Sequence, residues 1–179
     1  EELGSEEAGG QCVYVKELAT ELAKLGVSVD VYTRKPQGKQ KIEKICKGAR
    51  VIRIPCGPEK RIKKEDLYVH LNDFLMGTLD FIKENKLDYD VIHGHYWLSG
   101  TVSVDIAREL RIPHSQTFHS LGKLKKKVLS SEKDYNYNIR VLNEERVMGE
   151  CSKIVVESKV ERDHIHENYG SPLDKQVVI

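Results

Sequence analysis

Gly9-Gly10-Gln11 stands just ahead of an apolar stripe with helical spacing. Glycines at such a place let a ligand approach the backbone, and the unpaired N–H groups and helix dipole attract a phosphate. A plain glycine turn before a helix would look the same. Asp90-Val91-Ile92-His93-Gly94-His95-Tyr96 runs off the end of a short strand-like stretch. His93 and His95, two apart, share one face of a strand and could form half of a metal site. No third ligand with suitable spacing accompanies them. Thr117-Phe118-His119-Ser120-Leu121-Gly122 ends another such stretch. His119 and Ser120 could bind polar substrate atoms there, or His119 could be a satisfied core histidine. A Ser-His hydrolase is disfavoured, because no Gly-x-Ser-x-Gly elbow occurs and adjacent strand residues point to opposite sides. His164 and His166 would not face each other on a helix and read as solvated. Two basic runs, Lys60 to Lys64 and Lys123 to Lys127, follow expected strands. Such runs are usually solvated faces; brought to one sheet edge, they would make an anion site with Arg140.

The rest of the composition limits what these groups can serve. The chain has 179 residues, 39% hydrophobic and 32% charged, with 29 Lys+Arg against 28 Asp+Glu and a formal net charge of +1. A chain of that size can bury roughly 70% of its unfolded surface in one domain without a staple. The near-neutral balance, with one Trp and three Phe, argues against nucleic-acid binding. No apolar run approaches the roughly 18 residues of a membrane helix. The opening Glu1-Glu2-Leu3-Gly4-Ser5-Glu6-Glu7 is not a secretory signal. Cys12, Cys46, Cys56 and Cys151 form no Cys-x-x-Cys, so a reducing cytoplasm is expected rather than a disulfide framework.

The elements that must position the chemistry alternate. A helix carrying Val13, Leu18, Leu22 and Leu25 is expected to stop at Gly26, before a strand from Val27 to Thr33. Lys35 to Gly48 reads as an exposed loop, and Val51 to Ile54 as a strand ended by Pro55. A helix from about Glu65 to Asn85 has Leu67, Leu71, Leu75, Leu79 and Ile82 on one face. Then come a strand from Tyr89 to His93, a helix from Leu98 to Leu110, a strand from His114 to Phe118 and a lysine-rich loop. A helix from Tyr137 to Glu150, a strand from Lys153 to Glu157, a helix from Val160 to Tyr169 and a strand from Gln176 to Ile179 complete the chain. Strands joined by helices at crossover length imply an α/β fold: a Rossmann-like parallel sheet flanked by helices. Ligands in such sheets sit beyond the carboxyl ends of the strands. Opening on a loop and closing on a strand suggests that a first strand and a closing helix lie outside the chain.

Jointly, five segments in order resemble the N-terminal half of a retaining glycosyltransferase of family 4, with the GT-B fold. They are GGQCVYVKELATELAKLGVSVDVYTR, GPEKRIKKEDL, DVIHGHYWLSG, TFHSLGKLK and IRVLNEERVMGECSKIVVES. The sucrose-phosphate synthase branch is the most similar. The mannosylfructose-phosphate and inositol-phosphate branches share much of the pattern, although Gln11 and Cys12 depart from the inositol branch. The resemblance implies one acceptor-binding domain over residues 1–179. It implies that the C-terminal donor-binding domain, with its paired glutamates, is absent and that this chain alone is inactive. The complete enzyme would move a hexosyl unit from a nucleotide diphosphate sugar, UDP-glucose for instance, to a sugar phosphate, with no metal or other cofactor. Position by position, Gly9 and Gly10 match the loop near the donor diphosphate, and Gln11 a contact to the acceptor sugar. His119 matches the histidine at the reaction centre. Lys64, Tyr96, Ser120, Lys125 and Arg140 match the grip on the acceptor phosphate. The competing expectation is a non-catalytic module that binds a sugar phosphate or a nucleotide.

Overall fold

Valines 29 and 31 alternate with Asp30 and Tyr32, and this stretch forms strand β1 (Val29–Arg34). The structure, a computed structural model, describes residues 10–60, 62–63, 66–128 and 137–179. Its chain divides into two compact units, Glu1–Glu84 and Asn85–Ile179.

In the first unit, helix α1 (Gly10–Lys24) precedes β1, and Gly26 follows in a left-handed conformation. Ala19 is buried, whereas Leu25 lies just past the helix and is 81% exposed, so the expected stripe is shorter than its spacing suggested. Strand β3 (Ala49–Ile54) pairs parallel with β1, setting Val29 opposite Ala49 and Arg34 opposite Ile54. The expected loop from Lys35 to Gly48 contains a strand, β2 (Ile42–Cys46), which pairs antiparallel with β3. The sheet order is β1-β3-β2. The expected loop thus supplies an antiparallel edge strand, because Gly48 at φ +91° permits a tight reversal. Lysines on an exposed edge strand resemble loop lysines in sequence. Helix α2 (Leu71–Glu84) buries Phe81 and Ile82, and a Cβ on Gly77 would stand 2.7 Å from Ile54, so glycine allows this close packing. The loop after β3 is held by Arg34, whose Nε donates to Cys56 O at 3.0 Å and Nη2 to the carbonyls of Pro58 and Lys60.

The second unit is the parallel sheet that the alternation implied. Strands β4 (Ile92–His95), β5 (His114–Thr117), β6 (Lys153–Val156) and β7 (Gln176–Val178) stand in the order β4-β5-β6-β7, all parallel. Helix α3 (Tyr96–Leu110) crosses from β4 to β5 and is buried along most of its length. The expected lysine loop is a short helix, α4 (Gly122–Val128). Helix α5 (Tyr137–Glu150) buries Arg140, Glu144, Val147 and Met148, the spacing of one helical face. Helix α6 (Lys159–Tyr169) is capped by Ser158, whose Oγ accepts from Glu161 N–H, and Glu161 Oε2 accepts from the N–H of Glu157, the residue before the cap, at 2.9 Å. Phe118, Leu121, Val147, Ile154, Val156 and Ile165 form the core under these helices.

Candidate functional site

The carboxyl ends of β4 and β5 carry the side chains that the sequence singled out. Each end turns through a non-glycine residue at positive φ, Tyr96 at 71° and His119 at 58°. Such conformations cost of the order of 1–3 kcal/mol each and persist where surrounding structure imposes them.

Arg140 collects the polar groups. Its Nη2 donates to Ser120 O at 2.8 Å and to Ser120 Oγ at 3.1 Å. Its guanidinium carbon lies 5.2 Å from the centre of the Tyr96 ring, within cation–π range. Its Nε donates to Glu144 Oε1 at 2.7 Å, one helical turn away. Arg140 is 4% exposed and Glu144 is fully buried. Glu144 also accepts from the Gly122 N–H at 3.1 and 3.0 Å and from the Tyr169 hydroxyl. Ser120, bonded to Arg140, remains exposed, and so does Lys125, three residues past Gly122 on α4. Much of the Arg140 charge is thus balanced internally, and exposed Lys125 offers an unburied cation on α4. Burial and the Glu144 carboxylate together raise the Tyr169 phenol above its ordinary value.

The histidines form a row. The His93 and His95 rings lie 4.5 Å apart, as their shared strand face requires, and His95 stacks on His119 at 5.2 Å. His95 Nδ1 is 3.0 Å from His119 Nε2. Both nitrogens of His93 meet hydroxyls, Ser115 Oγ at 2.7 Å and Thr117 Oγ1 at 2.9 Å. Burial, aided by the neighbouring histidines, lowers His93 to about 4 and His95 to about 3. Burial also lowers His119, with Glu157 at 3.5 Å opposing the shift. At neutral pH the row is uncharged and offers hydrogen bonds rather than positive charge. Among the described residues no group of three or more His, Cys, Asp or Glu is arranged to hold a metal.

The structure therefore brings Tyr96, Ser120 and Arg140 together and places His119 next to Ser120. Gly10 opens α1, and Gln11 lies half-buried in its first turn. Gly9 and Lys64 lie outside the described residues. Sequence reasoning missed Glu144, whose signal was the i,i+4 pair Arg140–Glu144. It also missed the link from His119 to His95, which only sheet pairing creates. A recess of about 230 Å³ at the amino-terminal end of β5, lined by Arg108, His114, Glu150 and Ser152, holds none of the expected site residues.

Known proteins resemble this chain in sequence and fold. Residues 8–179 match the family model described as Glycosyltransferase Family 4. Mannosylfructose-phosphate synthase of Agrobacterium fabrum is 37% identical over 177 residues, covering 94% of this chain and 39% of that protein. D-inositol 3-phosphate glycosyltransferase of Corynebacterium glutamicum is 33% identical, covering 98% of this chain and 42% of that protein. The solved sucrose-phosphate synthase of Thermosynechococcus elongatus superposes with a TM-score of 0.90 at 27% identity, over 100% of this chain and 44% of that one. This chain thus spans about two fifths of the length of these relatives. Among the described residues no helix is long and apolar enough to cross a membrane.

Proposed function

This chain belongs to glycosyltransferase family 4, and on that premise we propose that it is the acceptor-binding part of a hexosyltransferase that glycosylates a sugar phosphate. The observation that carries the reading is the meeting of Tyr96, Ser120 and Arg140 at the strand ends, with Lys125 exposed on the adjoining helix. The names of the relatives support the acceptor class, since each contains a phosphate-bearing sugar or cyclitol.

On this reading the acceptor phosphate docks against Lys125, the Ser120 hydroxyl and the outer edge of Arg140. Charge-assisted hydrogen bonds to a dianion are the strong ones, so this grip sets the orientation of the sugar. Neutral His119 bonds a hydroxyl of the transferred hexose and shapes the pocket around it. It acts neither as nucleophile nor as general base. Within the first unit, Gly10 leaves the backbone at the start of α1 open to the donor diphosphate. The complete enzyme retains the anomeric configuration, needs no metal and takes a nucleotide diphosphate sugar such as UDP-glucose. Catalysis then rests on positioning and on stabilising the leaving diphosphate. The chain by itself turns over no substrate, and its compartment is the cytoplasm.

Calorimetry with fructose 6-phosphate, fructose and UDP tests the reading. Fructose 6-phosphate is expected to bind more tightly than fructose, and Lys125→Ala to weaken it about tenfold, the worth of one charged hydrogen bond. Binding of UDP with no preference for the phosphorylated sugar would point instead to a generic nucleotide-binding module.

A further inference from the structure

Gln116 in β5 is fully buried, yet its side chain belongs to none of the groups assigned above. A buried amide is unfavourable unless its hydrogen bonds are made. Here Nε2 donates to Tyr96 O at 3.2 Å and to Thr117 O at 3.0 Å, and Oε1 lies 3.3 Å from His114 Nε2. Carbonyl oxygens only accept, so the NH2 must face them and Oε1 must accept from His114. That fixes the His114 proton on Nε2.

The surroundings are shaped for this amide. Gly94 is the β4 partner of Gln116, and a Cβ there would stand 2.2 Å from Oε1. A Cβ on Gly100, in α3, would stand 2.7 Å from the same atom. Two glycines on different elements thus leave the space that the carboxamide fills. Its two acceptors are also informative. Tyr96 is the left-handed residue that opens α3 and lies over Arg140; Thr117 is the last residue of β5, two before left-handed His119.

We infer that Gln116 is the positioning residue of the proposed acceptor site: its carboxamide ties the two strand ends, holding Tyr96 over Arg140 and fixing the turn that presents His119 and Ser120. This inference rests on the acceptor-site reading for its functional consequence, and on geometry alone for the tie itself.

The 179-residue chain serves for the test, with Gln116→Leu and Gly100→Ala as variants. Gly100→Ala leaves every site side chain in place and favours the helix, but it displaces the amide. Either substitution is expected to weaken fructose 6-phosphate about tenfold by calorimetry. Adding Gly100→Ala to Gln116→Ala should weaken binding no further, because the amide it would displace is gone. Nitrogen-15 NMR of the imidazoles should show His114 protonated at Nε2 in the parent chain and released from that single tautomer in Gln116→Leu. Nuclear Overhauser contacts between Tyr96 and Arg140 should weaken in both variants. Retained affinity together with retained Tyr96–Arg140 contacts would overturn the inference, as would a parent His114 protonated at Nδ1. If the parent chain binds no sugar phosphate, the acceptor reading fails and the NMR signals decide the tie on their own.

Discussion

The two units treat polar groups in opposite ways. Among the described residues Thr78 is the buried polar side chain of the first unit, whereas the second buries Thr101, Ser103, His114, Gln116, Thr117, Arg140, Glu144, Ser171 and Gln176. In the first, every described residue at positive φ is a glycine. In the second, Lys86, Tyr96, Arg111 and His119 take that conformation without being glycine. Lys86 and Arg111 follow helices, a common stop. Tyr96 and His119 stand at strand ends beside the site, where strain and buried polarity coincide. The first unit follows generic rules of burial, while the second departs from them where ligand chemistry is proposed.

Acid should separate the units most strongly. His93, His95 and His114 belong to the second unit, and burial holds them near 4, 3 and 4 against an ordinary 6.5. Between those values the unfolded chain binds more protons. Stability is therefore complete above about 6.5 and falls as the pH drops toward 4. A histidine titrating alone contributes about 1.4 kcal/mol per pH unit. Urea unfolding followed by Trp97, the single tryptophan and a buried residue of the second unit, should shift to much lower urea between pH 7 and pH 4.5. An unchanged midpoint would mean that these histidines are already charged in the fold.

Next in size is Glu144→Ala. It strands buried Arg140 and leaves the Gly122 N–H and the Tyr169 hydroxyl without their acceptor. Breaking a buried pair in this way costs about 3–5 kcal/mol, readable by the same fluorescence. For this reason Arg140→Ala would test folding as much as ligand binding, and Lys125→Ala is the better probe of the phosphate grip. The smallest effect belongs to the first unit. Arg50 and Asp30 form a bidentate pair across β1 and β3, at 2.7 and 2.9 Å, with Arg50 38% exposed. Because Asp30 is only 11% exposed, Arg50→Met is expected to cost about 1–3 kcal/mol, below Glu144→Ala, in urea unfolding followed by circular dichroism. A loss as large as that of Glu144→Ala would erase the contrast between the units.

Much of the second unit was legible because its signals are local. Helix α5 runs from Tyr137 to Glu150 and α6 ends at Tyr169, the bounds expected of them. The shared face of His93 and His95 also followed from strand geometry alone. Errors arose where charge concealed structure. Lysines around β2 and through α4 read as loops, because solvated lysines look alike on an edge strand, a short helix or a coil.

The alternation of strands and helices, the helical face of Arg140 and Glu144, and the placement of His119 and Tyr96 just past strand ends were properties of the sequence itself. They depend on neighbours within a few residues, where backbone period settles which side chains share a face. The stacking of His95 on His119, the seat of Gln116 between Gly94 and Gly100, and the meeting of Arg140 with Ser120 and Tyr96 were decided by tertiary structure. Those contacts join residues from 16 positions apart, Gly100 and Gln116, to 44 apart, Tyr96 and Arg140. They depend on strand register and helix packing, which no local pattern specifies.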